Sequence, residues 1–122
     1  MGKLLFVFLI AFVTATPAVA ESPNPRSQLP SHGPFHGTIE GRIHKYECGD
    51  NCYLTIVDKS GKEHDGLCTA RQCEAWNAAT EIPKRYIGRR IVVTLGKGVQ
   101  ENGNGDIVGY FTAFMTMRFV GR

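Results

Sequence analysis

The sequence predicts an all-β domain with one short helix, its elements running β-β-β-α-β-β. Three observations carry this. Five segments alternate apolar and polar residues with period two or form short apolar runs, the mark of strands rather than helices. Gly/Asn/Ser-rich stretches such as "KSGK" and "ENGNGD" separate several of them, where tight turns are needed. A single Ala-rich segment, "TARQCEAWNAAT", breaks the pattern between the third and fourth strands.

In "GTIEGRIHKYE", Ile39, Gly41 and Ile43 fall on one face and Thr38, Glu40, Arg42 and His44 on the other. Gly41 within that strand suggests a bulge or sharp bend. "CYLTIVD" is the second strand, with Leu54 and Ile56 facing one way and Tyr53, Thr55 and Val57 the other. "KSGK" (Lys59 to Lys62) turns the chain into "EHDGLC", the third strand, and the three make an antiparallel meander. Thr69 followed by Gln72 is a capping-box signature for a helix start, and Cys73 and Trp76 then share a face. Trp76 is expected to pack with Cys73 against the end or side of the sheet, and Pro83 ends the segment. The fourth strand is Arg90 to Leu95, and "VQENGNGD" turns the chain into a long fifth strand, Ile107 to Val120. Its odd positions, from Ile107 through Phe111, Met115 and Phe119, read as the core face. Tyr110 and Phe114, on the even face, read as a surface patch.

This element order, with glycines in the first and last strands, is that of the OB-fold, a five-stranded, partly open Greek-key barrel. Residues 36 to 120 resemble small bacterial secreted OB-fold domains, and "YIGRRIVVTLGKG" resembles the segment by which such domains leave the helix and enter strand four. The resemblance implies an OB-fold-like domain over residues 36–122 whose ligand face borders the turn between the first two strands. A small β-roll or SH3-like barrel is the rival fold.

The N-terminus sets the compartment. Lys3, the apolar run "LLFVFLIAFV" and an Ala18-x-Ala20 ending form, in order, the parts of a signal peptide over residues 1–20. A run of ten is too short to span a bilayer, which needs about 20 residues. Nothing later is long and apolar enough to do so, and a periplasmic or secreted protein follows. Residues 21–35 hold four of the six prolines and read as a flexible lead-in. Cleavage after Ala20 removes one lysine and leaves 13 basic against 11 acidic residues, a formal charge of +2. Arg89–Arg90 is the only adjacent basic pair, so the composition demands neither a nucleic acid nor an anionic membrane.

Cys48, Cys52, Cys68 and Cys73 are spaced C-x3-C and C-x4-C. Both gaps are a little wide for the usual zinc knuckle that holds four thiolates in a tetrahedron, and neither is the C-x-x-C of a redox site. Behind a signal peptide, two structural disulfides follow. If Lys59–Lys62 is a four-residue turn, Leu54 faces Leu67, and Cys52 and Cys68 leave opposite faces. That favours Cys48–Cys52 and Cys68–Cys73, although in an OB topology Cys48–Cys73 is also within reach.

His32, His36, His44 and His64 show no close metal-pair spacing, and the chain lacks G-x-S-x-G, H-E-x-x-H and a phosphate-cradling glycine loop. No catalytic residue, metal or cofactor is expected. The candidate ligand-binding residues are Arg42, His44, Tyr46, Tyr53 and Thr55, projecting from the outer face of the first two strands. Aromatics interleaved with a cation are what OB-folds use to stack bases or sugars. The reading is therefore an exported, monomeric, non-enzymatic binding module for a polymer, a peptide or an envelope protein, with nucleic acid not favoured. The alternatives are a structural or stress-related envelope protein without a small ligand, and a secreted hydrolase such as a nuclease.

Overall fold

The computed structural model describes residue 2, residues 9–18 and residues 29–121. Apart from residue 2 and residues 9–18, the expected signal peptide lies outside the described residues, as does the lead-in from 21 to 28. Within 9–18 there is neither helix nor strand, and Leu9, Ile10, Phe12 and Val13 are exposed rather than packed on the domain.

The strands are β1 (Ser31–His32), β2 (Thr38–Cys48), β3 (Cys52–Val57), β4 (Glu63–Cys68), β5 (Arg90–Glu101) and β6 (Ile107–Phe119). The helix α1 (Cys73–Ala79) and a 3-10 turn (Lys84–Tyr86) stand between β4 and β5. The sheet order is β1-β6-β4-β3-β2-β5, and β5 also pairs with β6. That last pairing closes β2 to β6 into a five-stranded mixed barrel of OB type, with β4 and β6 as its parallel pair. β1 adds to β6 in parallel, so the sheet is entered at Ser31, inside the expected lead-in of residues 21–35.

Two irregularities set which side chains fill the barrel. β2 pairs Ile43 with Ile56 but Lys45 with Thr55, so His44 is the extra residue of a β-bulge. Of the bulge or sharp bend expected at Gly41, the bulge is absent, since Gly41 pairs in regular register with Ile91. Glycine is required there because a Cβ would stand 2.7 Å from the Val57 carbonyl oxygen, where β3 crosses closely. β6 pairs Thr116 with Thr94 but Phe114 with Leu95, so Met115 bulges. The inward face of β6 is therefore even before Met115 and odd after it. Phe114 is fully buried and Met115 about half exposed, which corrects the expected odd core face and surface Phe114. Ile43, Leu54, Ile56, Ile91, Val93, Phe114 and Met117 form the core. Gly66 lies under the Phe114 ring, where a Cβ would come within 2.6 Å of it.

The helix closes one end of the barrel with Cys73 and Trp76, both buried in the core, as expected. The capping box does not form. Gln72 is the N-cap residue but makes no side-chain cap, and its Nε2 instead donates to the Met117 carbonyl at 2.7 Å. Thr69 Oγ1 donates to the Phe114 carbonyl at 3.0 Å. Beyond Cys68, β4 no longer pairs with β6, and these side chains satisfy carbonyls that a strand would otherwise reach.

The disulfides are Cys48–Cys52 and Cys68–Cys73, the local pairs. The register that favoured them differs, however. Tyr53 opposes Leu67 and Leu54 opposes Gly66, one residue from the expected alignment. Asp58 pairs with Lys62 through its N–H, and Gly61 N–H donates to the Asp58 carbonyl. The loop is thus three residues, with Gly61 at φ 86° in the left-handed position such loops need. In this register Cys52 and Cys68 stand one step beyond the Tyr53–Leu67 pair, so facing does not exclude a bridge between them. The local pairing rests instead on proximity, with Cys48 directly opposite Cys52 across the turn.

Candidate functional site

Three arginines converge where β2 meets the start of β5. Arg42 and Arg90 are direct cross-strand partners, and Arg89 precedes Arg90 in the chain. Gly88, at φ 85°, turns the backbone from the 3-10 turn into β5, a conformation that favours glycine. The turn is pinned to β2 on both sides. Gly88 N–H donates to the Ile43 carbonyl at 2.7 Å, and Ile43 N–H donates to the Arg89 carbonyl at 2.9 Å. Arg42 Nη1 donates to the Gly88 carbonyl at 2.9 Å. Arg90 Nε lies 3.3 Å from the Glu40 carboxylate, and the Arg89 guanidinium lies 4.8 Å from the Phe119 ring centroid.

Two depressions share Arg42 and Arg90. The larger is a groove of about 490 Å³ that also takes in Glu40, Gly41, Val57, Asp58 and Lys59. The smaller, about 200 Å³, is completed by Gly88, Arg89, Val120 and Gly121. Glu40 and Asp58 border the groove, and among the described residues no Asp or Glu lines the smaller pocket. Asp58 is already engaged: its Oδ1 accepts from Ser60 Oγ at 2.6 Å and from the N–H of Ser60 and Lys62. Its Oδ2 lies 2.7 Å from His64 Nε2, and since a carboxylate only accepts, that nitrogen carries the proton. The His64 ring N–H, with the Ser60 hydroxyl and the two backbone donors, holds the Asp58 carboxyl well below the usual carboxylate range.

The five expected binding residues do not form one surface. Arg42 is exposed and lines both depressions. His44 is exposed at the bulge, 3.6 Å from Glu63. Tyr46 is a correction: the bulge at His44 turns it inward, where it packs edge-on against Trp76. Its hydroxyl donates to Asn77 Oδ1 at 2.5 Å, while Asn77 Nδ2 donates to the Cys68 carbonyl. Burial pushes the Tyr46 pKa up, which keeps the hydroxyl a donor. Thr55 is buried, with its hydroxyl on the Asp65 carboxylate, and is no free surface contact.

Tyr53 does face outward from β3, but the molecule covers it. Its ring meets Phe111 edge-on at a centroid distance of 5.6 Å, and its hydroxyl accepts from Gln100 Nε2 at 2.6 Å. Leu67 and Ala113 are buried on the same face without joining the main core. Gly98 lets β5 close over them, since a Cβ there would stand 2.5 Å from Leu67 and 2.8 Å from Ala113. The side chain of Asn51 then ties the β2–β3 turn to β5, accepting from Glu101 N–H and donating to its carbonyl.

Arg89, Arg90 and Lys59 were not among the expected site residues. The adjacent arginines after a glycine were the available signal, but only the pairing of β2 with β5 brings Arg42 to them. His32 and His36 are exposed on the segment before β2, and among the described residues no group of three or more His, Cys, Asp or Glu is placed to hold a metal.

No family model, curated protein or solved structure matches the chain.

Proposed function

We propose that the protein is an exported, non-enzymatic binding module that takes its ligand in the groove at Arg42 and Arg90. The observation that carries this reading is the open groove beside two directly opposed arginines, on backbone-paired strands of the barrel. Like charges opposed across strands cost stability, and a partner of opposite charge offsets that cost. The N-terminal charge, apolar run and small-residue ending support export, and two disulfides suit an oxidising compartment. The ligand class is a polymer, a peptide or an envelope protein presenting negative charge. The aromatic face used by many OB-folds does not serve here, because Phe111 and Gln100 occupy Tyr53.

Photo-cross-linking in the native host tests this. A photoreactive residue at Lys59, in the groove, is expected to give a discrete adduct, and one at Met115, on the exposed bulge, none. Adducts from Met115 but not from Lys59 would remove the groove from consideration.

A further inference from the structure

We propose that the pocket of about 200 Å³ at Arg42, Arg89 and Arg90 is the seat of a tetrahedral oxyanion, a phosphate or sulfate group carried by the ligand. The inference rests on the groove being the binding surface and names the chemistry of what enters it. Four observations carry it.

Among the described residues the pocket is lined by Arg42, Arg89 and Arg90 with Gly88, Val120 and Gly121, and by no Asp or Glu. Glu40 pairs with Arg90 through Nε from the groove side, which leaves the other guanidinium nitrogens of Arg90 unclaimed by it. Second, Arg42 and Arg90 are forced together by strand register rather than by flexible side chains. Like charges directly opposed across a ladder cost stability that an anion between them offsets, and the planar fork of arginine matches phosphate or sulfate with paired N–H donors. Third, Arg89 Nε is buried and has no hydrogen-bond partner, the one such side-chain N or O among the described residues. Its guanidinium lies over the Phe119 ring, and none of the ion pairs among the described residues involves Arg89, so the fold leaves this charge without a counter-ion. Fourth, the backbone beneath is preorganised. Gly88, Arg89 and Arg90 are each bonded to a neighbouring strand or turn, with Val120 N–H donating to the Arg90 carbonyl at 2.9 Å. Little ordering is then needed on binding.

The test is a titration of the 15N-labelled mature chain with sodium phosphate and with sodium sulfate, each against sodium chloride at equal ionic strength. Saturable shifts confined to residues around Gly88–Arg90 and Gly121 are expected with both oxyanions and absent with chloride. Arg90→Gln, an exposed substitution, is expected to raise the dissociation constant roughly tenfold, as loss of a charge-assisted hydrogen bond implies. Lys97→Gln, which removes equal charge elsewhere, should leave it unchanged. Arg42→Gln serves as a second variant, and unchanged spectra outside the pocket verify folding. Shifts that never saturate, that chloride reproduces, or that survive in both arginine variants overturn the oxyanion site. Methyl phosphate and a phosphorylated or sulfated oligosaccharide, compared with inorganic phosphate, distinguish a bare ion from a ligand-borne group. Tighter binding of an ester supports the proposal, and preference for the free ion contradicts it. Failure here alongside a Lys59 adduct would remove the oxyanion and leave the groove standing; saturable phosphate binding without that adduct would do the reverse.

Discussion

The barrel has two outer regions that look equivalent in the sequence and differ in the structure. One, around Tyr53, carries the aromatics expected of a binding face, yet Phe111, Leu67, Ala113 and Gln100 fill it from within the chain. The other, around Arg42, is polar, open and lined by cations brought together from β2 and from the adjacent pair Arg89–Arg90 at the start of β5. An aromatic side chain facing outward is thus no evidence of an open site when a neighbouring hairpin can fold over it. What leaves a surface open here is a close strand crossing at Gly41 and a turn at Gly88, where backbone rather than side chain forms the floor.

Stability measurements separate the two regions, and the largest effects belong to neither. Trp76→Ala, which empties the helix-side end of the core, is expected to cost about 3–5 kcal/mol in urea unfolding. Reduction of both disulfides should cost about 2–5 kcal/mol, and thiol titration of the unfolded, unreduced chain should find none free. On the closed face, Leu67→Ala should cost about 2–4 kcal/mol and leave anion binding intact, because Leu67 is buried there without touching the groove. A Leu67 variant of parental stability would show that face to be open. Tyr53→Phe, which removes only the bond from Gln100, should cost about 0.5–1.5 kcal/mol. In the cationic region, Arg42→Gln and Arg90→Gln should change stability by less than about 0.5 kcal/mol, as for surface substitutions generally.

The turn between β3 and β4 gives a pH test of the groove's border. The Asp58 pKa is lowered in the folded state, so its contribution is present above the unfolded carboxylate pKa and is lost as pH falls through the folded value. Unfolding midpoints from pH 7 down to pH 2 should therefore decline through the acid range. Asp58→Asn should flatten that decline, and an unchanged acid limb in the variant would show that Asp58 is not held by His64 and Ser60.

Much of the fold was legible because alternation and turn chemistry are local. Five strands, the helix and Trp76 in the core can be read from residue order, whereas the two local disulfides were favoured on a β3–β4 register that the structure shifts by one. The site was not legible, and the reasons are bulges and register. Neither His44 nor Met115 is a residue type that marks a bulge, yet each shifts the alternation by one, turning Tyr46 and Phe114 inward. Asp58 takes its pairing place opposite Lys62 and shortens the loop by one, which moves every β3–β4 pair. Arg42 and Arg90 lie 48 positions apart, and only the pairing of β2 with β5 makes them neighbours.

The measurement that bears most directly on the cationic region is elution from phosphocellulose in a salt gradient. The parent chain is compared with Arg42→Gln/Arg90→Gln, with Lys45→Gln/Lys97→Gln, which removes the same charge from other exposed positions, and with Tyr53→Ala. If the pocket binds as a unit, the arginine pair should elute at clearly lower salt, while the lysine pair and Tyr53→Ala elute close to the parent. Equal shifts for the two charge-matched pairs would reduce the retention to net charge, and a loss of retention confined to Tyr53→Ala would return the binding surface to the aromatic face.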